Sequence, residues 1–193
     1  MRRPEVIDRA AEVRYEMHAR TEEILRHLDA NRVVLRAAVD AVPIGLRESR
    51  PTPDRWSVAE VLEHLVRVEE GLTRLLSLRL SEQAAALQPE TETSSVMSRL
   101  DHARVIDRGY RVTAGERVLP RGEMDSATAL AALERSRGKL RELVFAHDGI
   151  AITPVTHPHP VLGVIDAYQW LIFIGSHEAR HADQIREIGA TLT

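Results

Sequence analysis

Apolar residues recur at steps of three and four along most of this chain. The first such series is Val6, Ala10, Val13, Met17, Thr21, Ile24, Leu28, Asn31, Leu35, Ala38 and Val42. It predicts a helix from Pro4, a favoured first-turn residue, to Val42, with Asp29-Ala30-Asn31 as the place where it could break. Prolines 43, 51 and 53 make residues 43–56 a loop. A second helix opens at Ser57-Val-Ala-Glu60, a capping box, and carries Val58, Val61, Leu62, Leu65, Val68, Leu72, Leu75 and Leu76 on one face. A third runs from Asp125-Ser126 to about Ala146 with Leu130, Leu133, Leu140, Leu143 and Val144 as its core face, and His147-Asp148-Gly149 stops it. The fourth follows Thr156-His-Pro-His-Pro-Val-Leu-Gly163. His157 and His159 each precede proline, so both are biased towards extended backbone, as ordinary loop residues or as lining at the mouth of a site.

Between the second and third helices lie residues 81–125, too long for a turn, with a β-leaning patch at residues 110–113 and 116–119. In a helical bundle such a link lets consecutive helices run parallel. The expected fold is all-α: a single four-helix-bundle domain over residues 1–193, with a long crossover between helices 2 and 3.

Composition narrows the chemistry. Apolar residues make up 44% and aromatics 4%, enough for a helical core. The net charge of −3 comes from interleaved signs, which argues against a nucleic-acid footprint, and the many arginines are expected on solvated helix faces. With no cysteine, any metal must be held by nitrogen and oxygen. No stretch has the roughly 18 apolar residues of a membrane span, and the start of the chain lacks a signal-peptide core, so the expectation is a cytoplasmic protein without membrane partners.

Three histidines stand out. His177 and His181 are spaced i and i+4, which puts both on one helical face with Cβ atoms roughly 5–6 Å apart. Nine histidines in 193 residues give on the order of 0.4 such pairs by chance, so the spacing needs its context. That context is the seam Trp170, Ile174, His177, His181, Gln184 and Ile188, at steps of 4, 3, 4, 3 and 4. Such residues point into a bundle, where buried polar groups need partners. A metal ion would partner both imidazoles; carboxylates on neighbouring helices would do so too. His64, about 80° from the centre of the second helix's apolar face, is placed to add a third nitrogen. Glu60 reads as a cap. Gln184 and Trp170 are expected to line the cavity on the substrate side without binding metal.

Two segments, Trp56-Ser-Val-Ala-Glu-Val-Leu-Glu-His-Leu65 and the stretch from His157-Pro158 to His177-Glu-Ala-Arg-His181-Ala-Asp-Gln184-Ile185, are similar to motifs of the DinB-like family of four-helix metalloenzymes. The resemblance implies up-down-down-up connectivity and a divalent metal (Zn, Ni, Fe or Mn) held by His64, His177 and His181. Some family members resemble thiol S-transferases that use small bacterial thiols. A low-molecular-weight thiol co-substrate attacking a small electrophile is therefore the first functional expectation. A metal-dependent hydrolase and a non-catalytic metal-binding or stress-response module are the alternatives, and no catalytic residue is assigned. The expected partner is a small-molecule substrate, and the exposed helix faces leave room for a homodimer.

Overall fold

The computed structural model describes residues 16–110 and 112–193. Four long helices form a four-helix bundle: α1 (Ala19–Asp40), α2 (Val58–Gln83), α4 (Ser126–Ala146) and α5 (Ala167–Leu192), with the short α3 (His102–Ile106) in the link between α2 and α4. Round the bundle the neighbours are α1 with α5, α5 with α2, α2 with α4, and α4 with α1.

Local chemistry sets the helix starts. At α2, Ser57 Oγ accepts the Glu60 N–H at 3.2 Å while the Glu60 carboxylate accepts the Ser57 N–H at 2.8 Å. Asp166 and Gln169 repeat that reciprocal cap at α5, and Asp125 caps α4 through the Thr128 N–H. The first helix differs from expectation: residues 16–18 are not helical, and the part of the expected helix before residue 16 lies outside the described residues. His18 explains the start. Its backbone is extended, its Nδ1 accepts the Arg20 N–H at 3.3 Å, and its own N–H goes to the Asp148 carboxylate at 3.1 Å. No break occurs at residues 29–31, where the Asn31 amide donates back to the His27 carbonyl at 2.8 Å.

The apolar interior divides in two. One cluster is built on Ile24, Leu28, Leu76, Leu140, Leu171 and Ile172, the other on Leu35, Leu62, Leu65, Leu133, Ile185 and Ile188. Between them each long helix contributes one buried charge: Arg32, Glu69, Arg137 and Glu178. Arg32 reaches Glu178 at 2.6 Å and Glu69 at 3.1 Å; Arg137 reaches Glu69 at 2.8 Å and Glu178 at 3.0 Å. Two guanidinium and two carboxylate groups make this layer neutral, which is how four charges come to be tolerated in the interior. The expectation that arginines only coat solvated faces fails here.

Residues 110–113 and 116–119 form no strand among the described residues, and residues 116–118 instead make a 3-10 turn. The strands are β1 (Thr156–His159) and β2 (Gly163–Asp166), an antiparallel pair where a loop was expected. Proline after each histidine holds β1 extended. At the turn, His159 Nδ1 accepts the N–H groups of Val161 and Leu162, both at 3.1 Å, and Gly163 takes φ +77. The link itself is pinned to the bundle. Arg20 pairs with Glu90 at 2.8 Å, Glu23 accepts the Val96 N–H at 2.8 Å, and Arg99 pairs with Asp166 at 2.6 Å.

Candidate metal centre

His64 comes from α2, and His177 and His181 from successive turns of α5. One ligand-competent atom from each lies within 4.8 Å of the other two, the only such metal-capable group among the described residues. The closest pair is His177 Nε2 and His181 Nε2, at 3.1 Å. Two nitrogens each about 2.1 Å from one ion can be at most about 4.2 Å apart, so this pair is already at chelating distance. In a tetrahedral site the nitrogens stand about 3.4 Å apart, so from within 4.8 Å the third would close by up to about 1.4 Å. His64 and His181 are buried, with 4% and 6% exposure, and His177 is partly exposed.

The far side of two of the rings is fixed. His64 Nδ1 bonds to the Val118 carbonyl at 2.7 Å, which requires the proton on Nδ1 and leaves Nε2 free. His181 Nδ1 bonds to Gln184 Oε1 at 2.8 Å, which likewise requires the proton on Nδ1 and leaves an unprotonated Nε2 facing His177 Nε2. Gln184 Oε1 also faces Arg108 Nη1 at 3.4 Å. Gln184 is half-buried and holds the back of the His181 ring. His177 is positioned by packing: Phe173 stacks on it at 5.1 Å and 28°. Trp56 covers His64, with ring centroids 5.2 Å apart.

Burial lowers the pKa of His64, and lowers those of His177 and His181 well below the ordinary value. Mutual repulsion within the trio adds to the effect on His177 and His181, as do nearby arginines. Neutral imidazole is the metal-binding form, so the donor set suits a cation at neutral pH. Trp170 stands farther off. It is buried at 4% exposure, meets His159 at 5.0 Å and Phe173 at 5.9 Å, and reaches the trio only through Phe173. Its indole N–H has no acceptor among the described residues. His157 and His159 lie against this aromatic wall and not in the trio.

A family model, described as DinB superfamily, matches residues 27–185. The chain belongs to the DinB superfamily. The match takes in α2, the link, α4, the hairpin and α5 through Ile185, so all three histidines fall inside the DinB-matched region. A relative, "Uncharacterized protein YuaE" of Bacillus subtilis (strain 168), is 27% identical over 146 residues, covering 72% of this chain and 80% of that protein. A solved structure, "Crystal structure of TT2238, a four-helix bundle protein", superposes with a TM-score of 0.58 at 21% identity, over 86% of this chain and 98% of the other. That likeness establishes the bundle fold.

Sequence reasoning did not find Glu63 or Val118 in this DinB superfamily member. Glu63 is fully buried beside His64, and its carboxylate accepts the N–H groups of Arg121, Gly122 and Glu123 at 3.1, 2.9 and 3.2 Å. The available signal was a glutamate next to the histidine, with Arg67 one turn on to pair with it. Val118 acts through its carbonyl, for which residue type gives none.

Proposed function

We propose that His64, His177 and His181 hold a divalent metal ion, and that the protein takes up a low-molecular-weight thiol there for transfer to an electrophilic small molecule. The observation that carries this reading is the convergence of three neutral imidazoles from two helices, two with Nδ1 engaged from behind and Nε2 free. A divalent cation at that point supplies positive charge that draws down the pKa of a neighbouring thiol or water.

Three neutral donors leave the cation's charge unbalanced by any protein anion, which favours an anionic exogenous ligand. The arginines add to that field. Arg180 is held by the carbonyls of Asp107 and Tyr110, not by a carboxylate, and both it and Arg108 disfavour protonation of His181. The carboxylates along α5 near the trio are committed elsewhere: Glu178 to Arg32 and Arg137, Asp183 to Arg186, and Glu187 to Arg108 and Arg55. Hydrolysis would need a group to take a proton from water. A thiol, whose pKa of about 8.5 starts far below that of water at about 15.7, gives up its proton more readily beside a cation, which is why transfer is preferred over hydrolysis.

Cobalt-loaded protein titrated with common cellular thiols tests the reading. Thiolate coordination should add a charge-transfer absorption that is lost in His181→Ala. If no thiol produces the band while cobalt is bound, the site serves hydrolysis or a non-catalytic role.

A further inference from the structure

Two consecutive residues of α2 grip the same short piece of the link. Glu63 takes three successive backbone N–H groups, from Arg121, Gly122 and Glu123, at 2.9–3.2 Å. His64 donates its Nδ1–H to the Val118 carbonyl, three residues upstream, at 2.7 Å. Arg67 closes the other side of the carboxylate through Nε at 3.1 Å and Nη2 at 2.7 Å to Oε1. The three amides can converge because Gly122 sits at φ +70, which turns successive N–H groups inward as a nest for an anion. The carboxylate has no solvent exposure, so these are charge-assisted bonds without competing water.

We propose that Glu63 is a positioning residue for the metal centre: its carboxylate locks residues 118–123 in place, and through the Val118 carbonyl fixes the tautomer and ring orientation of His64. The chain of contacts runs from α2, out to the link and back to α2 one residue on. Helix geometry alone does not hold His64's ring, because an imidazole has two free torsions and two neutral tautomers. The Val118 carbonyl selects the tautomer whose Nε2 can bind a cation, and a carbonyl in a link can do so only if the link is held. The Glu63 nest is the hold nearest to it. Partners behind a metal-ligating histidine commonly contribute about 10–100-fold to metal affinity, and here that partner's position depends on a buried carboxylate.

The inference rests on the three-histidine site proposed above, yet its test can fail separately. Two variants disturb the lock from opposite sides. Glu63→Gln keeps the shape but puts an N–H₂ group against amide donors. Gly122→Ala leaves α2 untouched; its Cβ meets nothing within 4 Å, so its effect comes from the unfavourable positive φ. The full-length protein is treated with chelator, and nitrogen-15 NMR of the ring reads the His64 tautomer, the signal being assigned by its loss in His64→Ala. Zinc affinity is then measured by competition with a chromophoric chelator. The wild type should show one His64 tautomer with Nδ1 protonated. Folded Glu63→Gln and Gly122→Ala should both show a mixture, with zinc affinity reduced about 10–100-fold. If either variant is folded and keeps the wild-type tautomer and zinc affinity, Glu63 is a structural anchor and the proposal is overturned. If the tautomer changes in both variants but the wild type binds no zinc, the positioning role stands and the metal reading falls.

Discussion

Gly175 has no side chain, and that is what lets the His27 ring lie against α5. A Cβ there would stand 2.5 Å from His27 Nε2 and 2.6 Å from Cδ2, while that same Nε2 bonds the Ile172 carbonyl at 3.0 Å. Gly175→Ala must therefore push the ring away and break the bond, although alanine is the better helix former. The expected net loss is about 1–3 kcal/mol, read from the urea midpoint; a variant as stable as the wild type would show that the ring relaxes freely. Gln184 is the residue-scale counterpart at the histidine trio. Gln184→Ala removes the acceptor behind His181 without touching a ligand. Metal affinity should fall about 10–100-fold with little change in the unfolding midpoint of the metal-free protein. Competition against a chelator reads the first quantity and denaturation the second.

At the scale of elements, the charged layer links all four long helices through buried ion pairs. Removing one member leaves unmatched charge in the interior, so Glu178→Ala should cost about 3–5 kcal/mol in chemical denaturation. Replacing all four charges together with apolar residues of similar volume should be neutral or stabilising. If the single and the quadruple variants lose the same stability, the layer is not acting as one unit. Its members were legible in principle. Arg32 lies four residues after Leu28 and three before Leu35; Glu69, Arg137 and Glu178 stand in the same relation to Leu65 and Leu72, Leu133 and Leu140, and Ile174 and His181. A charge in a seam position on each helix is a signal of interior pairing, hidden as long as arginine is read as surface. The starts of α2 and α4 were legible because their caps are local, whereas that of α1, set by His18, was not; the histidine trio was legible because two members share one helix face. The partners of Glu63 and His64 were not, because they are backbone atoms of a link more than fifty residues away along the chain. The hairpin was missed for a related reason: its proline-rich first strand pairs with only one neighbour, so proline's missing N–H costs it little there.

For the whole molecule, the buried histidines tie stability to pH. Their pKa values are lowered in the fold, so below about 6.5 the unfolded chain takes up protons that the native centre refuses. Metal-free protein should therefore lose stability as pH falls from 7 to 5, by up to about 1.4 kcal/mol per pH unit for each fully linked histidine. The slope should flatten in a His177→Ala, His181→Ala double variant, and equal slopes in urea titrations would contradict the assignment. Bound metal opposes the same protonation, so the loaded wild type should hold its midpoint to lower pH. The functional reading rests on one claim, that His64, His177 and His181 together hold a cation. The most direct test is metal content per chain after purification in chelator-free buffer, for the wild type and for His64→Ala, His177→Ala and His181→Ala side by side. The account predicts close to one divalent ion per chain in the wild type and little or none in each folded variant. A wild type without metal, or a variant that retains the full complement, would contradict it.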